Sequence, residues 1–328
     1  MSLLRPRRSG GAGRGSLRVF VAADIHGSEV CWRKFLNAGS FYGADVLVLG
    51  GDITGKALVP LVAEGRGRFR LVFMGRERVV EGDELDDVER LIRFNGFYPY
   101  RCEPEEADLL SRDPGAVQRA FGSSMREQVR GWVALADARL RGGTSVCLAM
   151  PGNDDEDFVA EILGEGEELR NHDGRVVEVG DHRIVGYGWS NPTPWRTPRE
   201  KPEPEIERDL RALTRSAGDP DTLILNPHVP PYDSGLDLAP QLGPGLTMAT
   251  RGGQPVYEPV GSRAVRTVVE EVQPLLVLSG HIHESRGVSR LGRSVCVNPG
   301  SEYNVGRLLG AIVDIAGKEV RGVQLVVG

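Results

Sequence analysis

Five short apolar segments of this chain each lead directly into a polar residue of a type that binds metal ions. The segments, with the polar residues that follow them, are 17–23 with Asp24 and His26, 46–49 with Asp52, 146–150 with Asn153, 223–227 with His228, and 275–279 with His281 and His283. Short segments that are apolar throughout are typical of strands buried on both faces of a parallel sheet. Since the carboxyl ends of such strands meet at one edge, the pattern predicts an α/β fold that collects these seven side chains there.

The connections between these segments predict one domain. Residues 17–53 have the pattern of a strand, an amphipathic helix and a second strand, which is a βαβ unit. Residues 56–145 contain two stretches with helical periodicity and charged outer faces, so a helical elaboration on the sheet is expected there. Residues 1–16 are rich in Arg and Gly and predict a disordered basic tail. With no repeat or linker elsewhere, residues 17–328 are expected to form a single domain of two sheets with helices outside.

Composition restricts the classes of partner. The net charge of −6 argues against nonspecific binding to nucleic acid, which depends on neutralising phosphates with Lys and Arg. It leaves room for a small phosphorylated substrate, including a nucleotide, held by metal ions. The four cysteines are scattered without a CxxC pair, so we interpret them as small buried hydrophobic residues of a cytoplasmic protein: Cys31, Cys102, Cys147 and Cys296. No apolar stretch approaches the ~20 residues that a membrane-spanning helix needs. The sequence makes no prediction of oligomeric state.

Seven ligand-type residues exceed what one metal ion needs. A structural zinc site takes four ligands and usually includes Cys, and none of the cysteines belongs to this set. Mixed imidazole, carboxylate and amide ligands suit borderline divalent ions such as Mn, Fe or Zn. If Asp52 were shared, two ions could each have four protein ligands. Two ions about 3.5–4 Å apart are a common device for clamping a phosphoryl group.

The motifs DIHG, GGDIT, PGND, NPHVPP and SGHIHE, in this order, resemble the signature of the calcineurin-like metallophosphoesterase superfamily. The segment GHIHESRGVSRLGRSVCVNPGS is similar to the Icc-related, cyclic-phosphodiesterase-like branch. The resemblance implies a two-sheet β-sandwich flanked by helices and a hydroxide, bridging the two ions, that attacks phosphorus in line. It also implies two ligand sets that share one carboxylate: Asp24, His26, Asp52 and His283 for the first ion, and Asp52, Asn153, His228 and His281 for the second.

One position departs from the superfamily pattern. Where the superfamily has a His after the Asn, helping the leaving group to depart, this chain has Asp154. An ionised Asp donates no proton, so substrates with good leaving groups are favoured over unactivated monoesters. Asn153 and Asp154 are the candidate catalytic residues of a phosphoesterase that acts on a phosphodiester ahead of a phosphomonoester. The competing interpretation is a metal-binding regulatory or binding protein with little turnover.

The loop at residues 186–198 has two Trp, three Pro and one Arg, with too little periodicity for a helix or strand. An aromatic loop of this kind could stack a nucleobase on Trp189 or place Arg196 on a phosphate. These two are the candidate substrate-binding residues. A packed surface loop without contact to substrate is the equally weighted alternative.

Overall fold

The computed structural model describes residues 15–328, and this part of the chain contains 20 strands and seven α-helices. In chain order the strands are β1 (Ser16–Ala22), β2 (Val46–Leu49), β3 (Leu58–Ala63), β4 (Arg68–Phe73), β5 (Arg76–Glu81), β6 (Tyr98–Cys102), β7 (Val146–Ala149), β8 (Leu169–Asn171), β9 (Val176–Val179), β10 (His182–Tyr187), β11 (Leu223–Pro227), β12 (Leu238–Pro240), β13 (Thr250–Arg251), β14 (Gln254–Pro255), β15 (Tyr257–Pro259), β16 (Leu276–Leu278), β17 (Gly287–Leu291), β18 (Ser294–Asn298), β19 (Leu309–Ala316) and β20 (Glu319–Val327). The helices are α1 (Glu29–Tyr42), α2 (Asp83–Phe94), α3 (Pro104–Arg112), α4 (Pro114–Leu140), α5 (Asp157–Leu163), α6 (Glu203–Ala217) and α7 (Arg263–Val272).

Two six-stranded sheets form the body of the molecule. Their strand orders are β20-β19-β1-β2-β7-β8 and β17-β18-β16-β11-β10-β9. In each sheet a run of four neighbouring strands is parallel: β1-β2-β7-β8 in the first and β18-β16-β11-β10 in the second. The remaining edge strands pair antiparallel. The parallel strands include all five predicted apolar segments, so the polar residues that follow them lie on one side of the molecule.

Three layers of apolar contacts hold the two sheets and their helices together. The cluster between the sheets contains inward-facing residues of both, including Val19 and Val48 from the first and Ile224 and Leu278 from the second. On the outer face of the first sheet, α1, α4 and α5 form a second cluster, and α6 and α7 form a third on the second sheet. This arrangement confirms the predicted two-sheet sandwich flanked by helices.

The inserted segment, residues 56–145, contains more than the predicted helices. Besides α2 and α4, which match the two periodic stretches, it has the additional helix α3 and a four-stranded sheet in the order β5-β4-β3-β6 with an apolar cluster of its own. The hairpin β4–β5 escaped prediction because its strands are rich in Arg and Glu and largely exposed, with few apolar positions such as Leu71 and Val80. Helical periodicity was the stronger signal in this segment, and it identified only two of the helices.

Several expectations concern segments at the margins of the fold. The predicted basic tail, residues 1–16, lies outside the described residues except at its end, where β1 begins at Ser16. All four cysteines are free and buried, in agreement with their interpretation as small hydrophobic residues. Among the described residues, no helix is long and apolar enough to cross a membrane. The division of the chain into a tail and one domain stays a prediction.

A buried carboxylate joins the loops that follow β2 and β7. Asp155 Oδ2 accepts hydrogen bonds from the backbone N–H groups of Ile53 (2.9 Å) and Gly152 (2.8 Å). Its Oδ1 accepts from the backbone N–H (2.8 Å) and the hydroxyl (2.6 Å) of Thr54. Asp155 is fully buried, so water satisfies none of these donors. This carboxylate fixes the relative position of the two loops that contain Asp52 and Asn153.

We expect Asp155→Asn to lower the free energy of unfolding by about 2–4 kcal/mol, because an amide nitrogen would face donors that now have an acceptor. The check is urea unfolding with EDTA present, so that metal binding does not contribute. Glu161→Gln, at an exposed position on α5, is the control and should change stability by less than about 0.5 kcal/mol. A loss below about 1 kcal/mol for Asp155→Asn would contradict the role of this clamp.

Candidate metal centre

The seven predicted ligands lie close together at the carboxyl ends of strands from both sheets. Ligand atoms of six of them, together with Asp154, form three groups in which all atoms lie within 4.8 Å of one another: Asp24, His26 and His283; Asp52, His228 and His281; and His26, Asp52 and Asp154. Asn153 joins the second group through a contact with His228. The sheet edge therefore brings together every residue that the sequence assigns to metal binding.

Unusual backbone conformations turn these side chains toward each other. Asp24 (φ 55°), His26 (φ 38°), Asp52 (φ 51°) and His281 (φ 66°) all have positive φ, although none is glycine. Such conformations cost energy for residues with a Cβ and concentrate at functional sites. Gly51 has φ 112°, and a Cβ there would lie 2.3 Å from His228 Nδ1, so only glycine fits between Asp52 and this ring. The strained backbone of these loops thus directs the ligand side chains toward one another.

In the first group, ring nitrogens and carboxylates converge. His26 Nε2 lies 3.1 Å from His283 Nε2 and 3.7 Å from Asp52 Oδ2, and His283 Nε2 lies 3.7 Å from Asp24 Oδ1. Burial lowers the pKa of His26 well below its ordinary value, so this ring is neutral. Burial alone would raise the pKa of Asp24, but a hydrogen bond and charge interaction with His283 outweigh it and hold the pKa below its usual range. The first group therefore offers the lone pairs of a neutral imidazole and the negative charge of a carboxylate, both of which suit a cation.

The second group is centred on His228. Its Nδ1 donates to the Gly50 carbonyl (2.8 Å), so its Nε2 faces the site, 3.0 Å from Asn153 Oδ1 and 3.4 Å from Asp52 Oδ1. Burial lowers the pKa of His228, but the Asp52 carboxylate overcomes it and raises the pKa to about 10. Burial and the His228 charge lower the pKa of His281 to about 3. The proton on His228 Nε2 thus lies close to the oxygen atoms of Asn153 and Asp52.

The amide of Asn153 has a fixed orientation. Its Nδ2 donates to Thr197 Oγ1 (2.9 Å), and the Thr197 hydroxyl donates in turn to Glu200 Oε1 (2.7 Å). Since Nδ2 is engaged by Thr197, Oδ1 points at His228 Nε2. An amide oxygen directed into a cluster of carboxylates and imidazoles is a ligand for a cation rather than a partner for another acceptor.

The donor set fits divalent metal ions. Imidazole nitrogens, carboxylate oxygens and one amide oxygen are the mixture that Mn, Fe or Zn accept. His26 Nε2 contacts His283, whereas His26 Nδ1 is buried and has no hydrogen-bond partner. Asp52 and His26 each take part in two of the three groups, and Asp52 lies in one group with His228 and in another with His26. The first group, with Asp52, could hold one ion, and the second, with Asn153, could hold another.

The remaining predicted residues lie around this cluster. Asp154 Oδ2 is 2.9 Å from Lys56 Nζ, and its backbone N–H donates to Asp52 Oδ1 (3.0 Å). Trp189 has the Arg199 guanidinium 4.5 Å and the Lys201 ammonium 4.2 Å from its ring centroid, so cations of the chain itself already occupy it. Arg196 is exposed with φ 53° and directly precedes Thr197, the partner of Asn153. Substrate binding by Trp189 and Arg196 stays a prediction.

Sequence reasoning missed three residues at the site. Lys56 follows Asp52 by four positions and is one of only four lysines, a signal that was present in GGDITGK. Tyr303 packs its ring 4.7 Å from that of His26, but nothing in its local sequence indicates this contact. Thr197 orients Asn153 from 44 positions away, which only the folded chain shows.

We expect the His228 ring of metal-free protein to keep its proton until about pH 10, because Asp52 raises its pKa. Since this pKa lies above the unfolded value of about 6.5, its contribution to stability is complete below pH 6.5 and is lost as pH rises through 10. NMR of histidine-labelled, chelated protein would follow the ring directly, with His228→Gln for assignment. Asp52→Asn should move the midpoint down by at least one pH unit, whereas Asp314→Asn, in β19 opposite Arg18 near the start of β1, should not. A His228 midpoint below pH 7 would contradict this charge arrangement.

Comparisons with known proteins bear on the fold. No protein-family model matches the chain. It is 30% identical over 155 residues to the uncharacterized protein MJ1162 of Methanocaldococcus jannaschii, a match that covers 46% of this chain and spans only 62% of that relative's length. The structure of TT1561 from Thermus thermophilus superimposes with a TM-score of 0.50 at 15% identity, covering 95% of this chain and 98% of that one. A further crystal structure matches with a TM-score of 0.53 at 14% identity, over 95% of this chain and 98% of its own length. At these identities the matches bear on the fold alone, and they share the two-sheet α/β fold of this chain over almost its whole length, as the motifs predict.

Proposed function

We propose that this protein is a metal-dependent phosphoric ester hydrolase that cleaves a phosphodiester with the help of two divalent ions. The observation that supports it most is the convergence of seven ligand-type side chains from five strand ends, with Asp52 in two of the groups. Two ions held there would activate water and neutralise charge on a phosphoryl group. Their identity, Mn, Fe or Zn, is left open by the donor set.

The residues around the cluster would organise the reaction. Both Asp24 oxygens lie 3.0 Å from the backbone N–H of His281, and His228 is anchored on Gly50, so ligands of the two groups are held before anything binds. The inner side chains of Asp24, His26 and His228 are fully buried, whereas His283 is 28% and Asp154 is 23% exposed. Substrate would therefore approach from the side of His283 and Asp154.

Phosphodiesters are favoured over monoesters because of Asp154. Its carboxylate is paired with Lys56 at 2.9 Å and offers no proton to a leaving oxygen. A small phosphorylated compound, such as a nucleotide, fits the acidic chain better than a long nucleic acid, since the net charge of −6 opposes nonspecific phosphate binding.

A second candidate function rests on the same position. Without a His after Asn153, the chain could be a metal-binding regulatory protein with little turnover. The two candidates differ in one measurable property, which is hydrolysis of any phosphate ester by the metal-loaded protein.

We expect protein reconstituted with Mn to contain close to two ions per chain and to hydrolyse aryl phosphodiesters. Asp52→Asn should lose both ions and at least about 100-fold in kcat/KM, because this carboxylate serves both groups. Asp24→Asn should mainly weaken one ion, and Asp314→Asn is the control. Metal analysis by mass spectrometry and an ester panel measure the two quantities. One ion per chain, with Asp52→Asn behaving like Asp24→Asn, would overturn the two-ion model, and two ions without any turnover would favour the regulatory function.

If Arg196 contacts the substrate phosphate, Arg196→Ala should lower kcat/KM by about 10- to 100-fold, the range expected for one charge-assisted hydrogen bond. Metal content should stay unchanged, because Arg196 is no ligand. Arg208→Ala on α6, where the side chain is 69% exposed, serves as the matched control. An unchanged kcat/KM for the best substrate would make residues 186–198 a packed surface loop.

A further inference from the structure

We propose that Lys56 contacts the substrate on the side of the leaving oxygen, with Asp154 as the positioning residue that holds its ammonium group. The inference rests on the proposed phosphoesterase function and deepens it. The Lys56 ammonium would supply N–H donors and a local positive charge at the place where this chain lacks the His that follows Asn in the superfamily pattern.

The pair lies at the open side of the metal centre. Lys56 Nζ is 2.9 Å from Asp154 Oδ2, and the two side chains are 46% and 23% exposed. Asp154 is itself in a group with His26 and Asp52, so the ammonium lies one side chain away from the ligands. Lys56 thus lies between solvent and the reacting centre, which is where a substrate would pass.

The backbone on both sides of the pair is fixed. Before Lys56, the Gly55 N–H donates to the hydroxyl of the buried Tyr98 (2.9 Å), and a Cβ on Gly55 would lie 2.1 Å from the Gly96 carbonyl oxygen. Asp154 is held by the bond from its own N–H to Asp52 Oδ1. Since these contacts hold both backbone segments, the ammonium is in place before the substrate arrives, and little reorganisation is needed during the reaction.

The chemistry of ester hydrolysis needs a cation at this point. As the oxygen of water forms its bond to phosphorus, the P–O bond to the leaving group breaks and its electron pair stays on the leaving oxygen. That oxygen finally takes a proton released by the water through solvent. An ammonium group has three N–H donors, so while one binds Asp154, the others can donate to phosphate and leaving oxygens. Stabilisation by Lys56 grows with the negative charge on the leaving oxygen, and poor leaving groups gain most from it.

The decisive experiment compares Lys56→Met, Lys56→Arg and Asp154→Asn with the control Lys318→Met. Lys318 is exposed and pairs with Asp219 and Asp221, so its replacement removes a similar charge elsewhere on the surface. Three quantities are measured for each variant: metal content, affinity of the Mn-loaded protein for inorganic phosphate by calorimetry, and kcat/KM against leaving-group pKa for a series of phosphodiesters.

We expect Lys56→Met to keep its metal and to lose about tenfold in phosphate affinity, the loss of roughly one charge-assisted hydrogen bond. Its kcat/KM should fall about tenfold for aryl esters with acidic leaving groups and about 100-fold or more for alkyl esters. Lys56→Arg should keep most of the wild-type phosphate affinity and most of the wild-type kcat/KM. Asp154→Asn should bind phosphate with an affinity between those of the wild type and Lys56→Met. The Lys56 ammonium remains in this variant, but Asn binds it more weakly than Asp does.

Two results would overturn the inference. One is a phosphate affinity and a leaving-group dependence in Lys56→Met that equal those of Lys318→Met. The other is loss of metal from Lys56→Met with equal rate losses for all esters, which would make Lys56 a support for the ligands. Absence of turnover in the wild type would instead refute the proposed function. The phosphate affinities would then still decide whether Lys56 faces a bound anion.

Discussion

The Asp155 carboxylate is the interaction on which the rest of the site depends. The second ligand group is divided between loops of different strands, with Asp52 after β2 and Asn153 after β7. Neither loop has regular structure to position it, and four hydrogen bonds to Asp155 take that role. The acidic residues that follow Asn153 therefore have different roles. Asp154 faces the site, Asp155 connects the two loops, and Asp157 begins α5.

In the metal-free centre, protonated histidine compensates the charge of the buried carboxylates. Asp24 and Asp52 are buried among four histidines of the site, and burial pushes carboxylates and imidazoles toward their neutral forms. Burial lowers the pKa of His228, but the neighbouring carboxylates outweigh it and raise the pKa to about 10, whereas burial with the His228 charge lowers that of His281 to about 3. A folded protein keeps so uneven an arrangement where it serves a ligand, because replacing such groups with apolar residues is often neutral or stabilising.

Much of the fold and nearly all of the inner site could be predicted from sequence, because both depend on local patterns. Apolar strands such as residues 46–49 end in recognisable polar residues, and parallel strands share an edge. The rest depends on contacts between distant segments. Lys56 reaches Asp154 because the inserted sheet packs Gly55 against Gly96, and no periodicity encodes that contact. Trp189 resembles a free stacking surface in sequence, whereas Arg199 and Lys201 already contact its ring.

The left-handed backbone at Asp24, Asp52 and His281 limits how the site can change during evolution. Asn, Asp and His enter this conformation at least cost among residues with a Cβ, while β-branched side chains are nearly excluded from it. The exchanges that cost least at these positions are therefore to Asn, Asp, His or Gly, and the first three of these can themselves coordinate a cation. A lineage that lost the metal would first retain a polar, ligand-like edge, since the backbone selects for such residues independently of any ion. The residue types at this edge of the sheet therefore reflect backbone conformation as well as metal binding.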